Sequence, residues 1–276
     1  MEGDGVSGGP WEGNDYRHLR VARQGVAAVI TLARPEVHNA FNAELIEELH
    51  TVFTRVSESD DVRTVILRGE GKNFCAGADL NWMRASLEYS HDENVADALR
   101  MADMFQAMDA CRHPVIGRIQ GYALGGGAGL TAVCDIAIAA EDARFGFTEA
   151  RLGISPAVIS PFVLRKIGQS HARALFVTAE RFDAARALAI GLVHQVVPAA
   201  ALDAAIERTV REIAQNGPAG VRAAKLMART VPQLDASEAR ETTAATIAGL
   251  RVGPEGQAGI RAFLEKRPAP WVNQDA

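Results

Sequence analysis

The chain has 276 residues, 48% of them hydrophobic, and a net charge of -5, which is enough length for one large domain with a substantial buried core. Its acidic balance, with no cluster of Lys and Arg, argues against nucleic acid as a general partner, because phosphate binding relies on concentrated positive charge. Three cysteines, Cys75, Cys111 and Cys134, have no Cys-x-x-Cys spacing, so neither a disulfide framework nor a zinc site is expected, and the compartment reads as reducing.

Residues 1–14 are Gly-rich and acidic, without the basic start or apolar run of a secretion signal. No stretch elsewhere reaches membrane-spanning length. The expectation is a cytoplasmic protein with a flexible leader and no membrane partner. Val26 to Leu32 reads as a strand, stopped at Arg34-Pro35-Glu36 because proline cannot continue the ladder. Asn42 is then a natural N-cap for a helix whose Ile46, Leu49, Phe53 and Val56 share one face. Val62 to Leu67 is a second strand, followed by a glycine-bearing loop, Phe74-Cys75-Ala76-Gly77-Ala78-Asp79-Leu80.

Asp92 to Ala110 carries the pattern of a long helix that ends before Pro114. Val115 to Ile119 is a third strand and feeds a second loop, Gly121-Tyr122-Ala123-Leu124-Gly125-Gly126-Gly127-Ala128-Gly129. Gly126 to Val133 reads as a short helix and Asp135 to Ala139 as a buried strand, so strands and helices alternate in an α/β core over 15–199. Beyond Pro198 the chain turns to Ala-rich helices at 201–215, 218–229, 237–250 and 254–265, with no strand, which sets off a helical C-terminal region at 200–276.

The glycines at 125–127 suit a tight turn or close helix packing as well as a binding loop. A dinucleotide loop fits poorly, since the third glycine of that pattern falls on Leu130 or Ala132, and no Gly-Lys-Ser/Thr ending marks a phosphate loop. Gly153-Ile154-Ser155-Pro156-Ala157 lacks the second glycine of a nucleophile elbow. What favours function is repetition: strand, Gly/Ala turn and helix occur twice. Two helix N-termini facing one cavity would aim free N–H groups at a developing oxyanion.

Both loops, together with Cys134-Asp135 and Phe145-Gly146-Phe147-Thr148-Glu149, closely resemble the crotonase (enoyl-CoA hydratase/isomerase) superfamily. The likeness runs from Tyr16 to Trp271 and includes Arg34-Pro35-Glu36-Val37-His38-Asn39-Ala40 and Ala262-Phe263-Leu264-Glu265-Lys266-Arg267. The fold it implies is α/β, a crotonase-like spiral of repeated ββα units, with a helical C-terminal region for oligomerisation into trimers or hexamers. It implies further that Ala78 and Gly126 supply the N–H groups that hold a thioester oxygen. Val37, His38 and Ala40, with Ala76, Asp79, Leu80 and Asn81, would line the coenzyme A channel. Phe263 and Lys266 would approach its nucleotide end, in the same or a neighbouring subunit. Glu149 matches the family's acid/base glutamate, whose pKa should rise in a low-dielectric pocket. The resemblance calls for no metal or redox cofactor, coenzyme A being part of the acyl-CoA substrate.

One departure stands out. Hydratases of this family carry a second glutamate three residues after the oxyanion glycine, and here that position is Gly129. Either Glu149 handles both proton transfers of a hydration, or the chain catalyses a related enolate reaction such as double-bond isomerisation. A non-catalytic acyl-CoA- or RNA-binding role on the same scaffold is the third reading, disfavoured for RNA by the acidic charge. The tracts Ala78-Asp79-Leu80-Asn81-Trp82-Met83-Arg84 and Arg151 to Leu164 look like the bacterial 3-methylglutaconyl-CoA and carboxygeranoyl-CoA hydratase branch. A distal carboxylate on such a substrate would need a cation, for which Arg84, His91, Arg151 and Lys166 are the candidates.

Overall fold

A computed structural model describes Trp11 and residues 16–272. Leu19–Gln24 (β1) and Ala27–Leu32 (β2) form an antiparallel hairpin through Gly25, whose φ of +55° suits glycine. Only Leu19 of β1 is buried, so its sequence gives no apolar run and only the second arm is legible. Asn42 caps Ala43–Glu58 (α1) as expected, its Oδ1 accepting the Leu45 N–H at 2.9 Å. Thr64–Gly69 (β3), Leu80–Ser86 (α2), His91–Ala110 (α3) and Val115–Ile119 (β4) follow. Then come Tyr122–Leu124 (β5), Gly126–Val133 (α4), Ile136–Ala140 (β6), Arg144–Gly146 (β7) and Ser160–Thr178 (α5).

Arg181–Asp183 (β8), Ala184–Ala189 (α6) and Gln195–Val197 (β9) complete the α/β part. The main sheet runs β1-β2-β3-β4-β6-β9, parallel except for the first pair, and β5-β7-β8 form a second sheet. The pairs β4–β5 and β6–β7 each give one strand to either sheet before a helix. This is the spiral of ββα units that the family resemblance implied. After β3, single bridges Cys75↔Ala123 and Phe41↔Ala78 put the first glycine-bearing loop in the place of a short strand.

Both faces of the main sheet are covered. Ala28, Ile30, Leu32, Val65 and Leu67 join the large core with α1 and α3, whereas Ala27, Val29, Ile66, Ile116 and Ile138 meet Leu202, Ala205, Ile206 and Val210 of Leu202–Ala214 (α7). Two-sided burial explains why β2, β3 and β6 read as unbroken apolar runs. The helix α5 escaped the sequence reading because Gly168, at φ +73° and ψ 160°, interrupts it and breaks the periodicity. Pro218–Thr230 (α8), Ala236–Val252 (α9) and Pro254–Leu264 (α10) lie within two residues of their expected ranges. Of these three helices, α8 and α9 bury no residue and α10 buries Ala262 alone.

The expected leader lies outside the described residues except for Trp11, which is fully buried in the large core under the Arg23 guanidinium, 5.2 Å from its ring centre. All three cysteines are free and buried, and burial pushes the Cys75 and Cys134 thiols up to about 12. No helix among the described residues is long and apolar enough to cross a membrane.

Candidate active site

The turn after β2 is fastened to the first glycine-bearing loop by buried polar groups. Asn39, at φ +56°, accepts the Arg34 N–H on Oδ1 (2.9 Å) and donates Nδ2 to the carbonyls of Glu70 (2.9 Å) and Asn73 (2.8 Å). Arg34 donates one guanidinium nitrogen to the Ala40 carbonyl and another to Asp79 Oδ2 at 2.8 Å. Asp79 in turn caps α2, its Oδ1 accepting the Asn81 N–H at 2.7 Å. Burial alone would raise the Asp79 carboxyl, but the Asn81 N–H and the Arg34 guanidinium outweigh it and hold the group below its usual value.

This clamp orients Ala78. Phe41 donates its N–H to the Gly77 carbonyl and accepts the Asp79 N–H, both at 2.8 Å. In such a parallel bridge the residue between, Ala78, turns its own N–H to the other side, where it meets no acceptor among the described residues and lines a cavity. The second loop is stitched to the first by Leu124 N–H to Cys75 O and Cys75 N–H to Tyr122 O, both 3.0 Å. Gly125 donates to Gly146 O (2.8 Å) at φ +52° and ψ -121°, a conformation open to glycine. Gly126 opens α4, so its N–H has no partner within the helix.

The two readings of the glycine run hold together, because close packing is what brings the donors to the cavity. A Cβ on Gly126 would stand 2.6 Å from Phe41 Cε2, and one on Gly127 would run into the Cys75 carbonyl. Gly77 and Gly125 face each other, with the Gly77 Cα 3.8 Å from where a Gly125 Cβ would lie.

Glu149 begins a 3-10 turn, Glu149–Leu152, just after β7. Its Oε1 lies 3.4 Å from the missing Cβ of Gly125, so the carboxylate sits against the second loop. Oε2 is buried and has no hydrogen-bond partner among the described residues. Burial raises the Glu149 carboxyl above its ordinary 4.5, opposed only by a hydrogen bond from its own backbone. Ala78, Gly126 and Glu149 all line one cavity of about 370 Å³, whose walls include Trp82, Met83, Met101, Leu152, Ile154 and Val158. A perturbed acid in an apolar cavity beside two free N–H groups is the pattern of a site that stabilises an enolate.

Gly129 offers no room for the second glutamate. Its Cβ would stand 2.5 Å from Ile159 Cγ2 and 3.1 Å from Phe105 Cζ, and Ile159 itself faces the cavity. Gly129→Glu is therefore expected to lower stability by at least about 1–3 kcal/mol through overpacking, with no gain in hydration rate. Urea unfolding checks the first and initial rates the second; a stable, faster variant would show that the space exists.

The other expected residues divide. Ala76 lines the cavity, and its N–H donates to His38 O at 3.0 Å, so the Val37 to Ala40 turn runs beside the first loop. His38 is exposed, its Nδ1 3.0 Å from Asn73 Nδ2. The Asp79 carboxylate is engaged by Arg34, and the side chains of Leu80 (76% exposed) and Asn81 point outside the cavity lining. Phe263 is 83% exposed and, like Lys266, absent from that lining. Arg84, His91, Arg151 and Lys166 do not line it either. Arg84 reaches Asn81 Oδ1 (3.1 Å), Arg151 the Ala179 carbonyl (2.9 Å) and Lys166 the Cys134 carbonyl (2.6 Å). The sequence reading gave no role in the site to Arg34, Asn39, Phe41 or Asp97. Only Asp97 had a signal, its place with Asn94, Ala98 and Met101 on one stripe of α3, all four at the cavity.

The chain belongs to the enoyl-CoA hydratase/isomerase family, which it matches over residues 22–274, and its fold is the crotonase fold. An enoyl-CoA hydratase from Shewanella pealeana has a crystal structure similar at a TM-score of 0.90 and 37% identity, covering 95% of this chain and 98% of that one. AtuE of Pseudomonas aeruginosa is similar at a TM-score of 0.91 and 34% identity, covering 93% and 100%. A crotonyl-CoA hydratase of Syntrophomonas wolfei is 32% identical over 261 residues, 94% of this chain and 99% of its own length.

Proposed function

We propose that this chain, an enoyl-CoA hydratase by family, adds water reversibly to a 2-enoyl-CoA through an enolate held by the N–H groups of Ala78 and Gly126. The observation that carries the reading is Glu149, a carboxylate raised by burial, with no partner on Oε2 among the described residues and in the same cavity as both donors. Each donor aimed at the developing oxyanion is worth roughly 2.7–4 kcal/mol in the transition state. Glu149 takes a proton from water while the water oxygen bonds to the β carbon and the double-bond electrons move to the thioester oxygen. The same carboxyl then protonates the α carbon, so atoms and charge balance with one acid/base residue. No metal or redox group takes part in these steps.

Because the ionised form of Glu149 starts the reaction, kcat/KM should rise with pH through its raised pKa. The acidic limb is expected above 4.5, the ordinary value of the group. A pH profile whose limb falls at or below that value would contradict the assignment.

Isomerisation is the rival favoured by Gly129, since moving one proton between carbons needs a single base. Turnover in water enriched in heavy oxygen separates the two: the label should enter a 3-hydroxyacyl product, and an unlabelled product would make the chain an isomerase. The finer reading, a branched 3-methylglutaconyl-like acyl group of leucine or isoprenoid breakdown, rests on the resemblance of the tracts around Trp82 and Ser155. Among the described residues, the titratable ones lining the cavity are Asp97 and Glu149, neither of them a cation for a distal carboxylate. Rates across enoyl-CoAs with and without that group test the branch, which a preference for straight uncharged chains would refute. The scant burial on α8, α9 and α10 supports assembly into trimers or hexamers, in which Phe263 and Lys266 would serve a neighbour's coenzyme A.

A further inference from the structure

The place of the expected second glutamate is filled by Ile159 and Phe105, yet the cavity does contain a second carboxylate. It comes from another helix. Asp97 lies on α3 between Asn94 and Met101, at the spacing of three and four that forms one stripe, and all three line the cavity. The stripe reaches the oxyanion end, since Met101 Cε is 3.2 Å from where a Gly126 Cβ would stand.

Asp97 is only 8% exposed. Its Oδ1 accepts a hydrogen bond from Arg100 at 2.8 Å, which fixes the carboxylate plane from the outer side of the helix. Its Oδ2 has no hydrogen bond among the described residues and, unlike Glu149 Oε2, is not sealed from water. The neutral polar neighbours on that wall give their donors to the backbone, Ser86 Oγ to Met83 O (2.8 Å) and Asn94 Nδ2 to Tyr89 O and Ser90 O (3.1 Å each), and neither carries charge. Asp97 Oδ2 is the charged acceptor on that wall that is open to a water molecule.

We infer that Asp97 holds the attacking water for Glu149, doing from α3 what the family's second glutamate does from α4. This rests on the hydration reading above. One water hydrogen is held by Asp97 Oδ2, the other passes to Glu149, and the oxygen bonds to the β carbon; Asp97 gains and loses no proton over the cycle. The α-carbon step does not use this water, so the two half-reactions should separate in a variant.

Asp97→Asn, nearly isosteric, tests this with two assays on the full chain. Hydration of the 2-enoyl-CoA that wild type turns over fastest should fall about 100-fold in kcat, with KM changed less than about threefold. Exchange of the α protons of butyryl-CoA with deuterated water, which needs only Glu149 and the two N–H groups, should stay within about threefold of wild type. Asp97→Glu should recover part of the hydration rate. The role is refuted if Asp97→Asn hydrates within about tenfold of wild type, or if exchange falls together with hydration, the sign of a merely structural effect. A wild-type protein that exchanges α protons but adds no water would instead overturn the hydratase reading, and this role with it.

Discussion

Glu149→Gln is expected to lower hydration at least about 100-fold while leaving the fold as stable as before, or more so above neutral pH. The amide keeps the shape of the side chain but cannot accept the proton of water or return it to the α carbon. Stability follows from the direction of the pKa shift. A carboxyl raised above 4.5 in the folded protein binds its proton more tightly there than in the unfolded chain. Its contribution is therefore full below the unfolded value and lost as pH rises through the folded one. Glutamine has no such loss, so the melting temperature of the variant should equal or exceed that of wild type at pH 8, with the difference shrinking toward pH 4. Full activity in a folded Glu149→Gln protein would remove Glu149 from the chemistry.

Arg34→Met should cost about 3–5 kcal/mol in urea unfolding, because it leaves the buried Asp79 carboxylate without its cation. The same side chain also holds the Ala40 carbonyl, so its loss frees the turn on one side of the site and the Ala78 loop on the other. Surviving protein should show a reduced kcat, since the Ala78 N–H would no longer be fixed toward the cavity, where it is proposed to meet the thioester oxygen. Arg34→Lys should rescue only part of the stability, one ammonium being unable to serve two acceptors in fixed directions as a guanidinium does. Replacing Asp79 by Asn as well should recover stability relative to Arg34→Met alone. A loss below about 1 kcal/mol in Arg34→Met would mean that the pair is not what fastens the two segments.

The parts of the fold visible in the sequence were those with two buried faces or a full helical period. β2, β3, β4, β6, α1, α3 and α4 satisfy this, and so do the four C-terminal helices, α7 to α10. β5, β7, β8 and β9 have three residues each, too few for any alternation to register, and β1 carries charge along an edge. The site was legible as a resemblance of motifs and as repeated strand, turn and helix. Its mechanics were not, because Arg34 and Asp79 are far apart in the chain and no local pattern links them. Gly129 shows the same limit from the other side: its sequence shows a carboxylate missing, while Ile159, thirty residues on, is what occupies the space. The distal-carboxylate candidates lie outside the cavity lining for a related reason, Arg84, Arg151 and Lys166 having found a carbonyl or amide partner elsewhere and His91 lying beside Asp92.

The central claim is an enolate formed at the α carbon by Glu149 and held by the Ala78 and Gly126 N–H groups. Proton exchange at the α carbon of a saturated acyl-CoA in deuterated water, followed by mass in wild type and Glu149→Gln, tests it without any need for hydration. Wild type should incorporate deuterium at the α carbon, and the variant should do so at least about 100 times more slowly. No exchange by an active wild-type protein, or equal exchange by both, would contradict it.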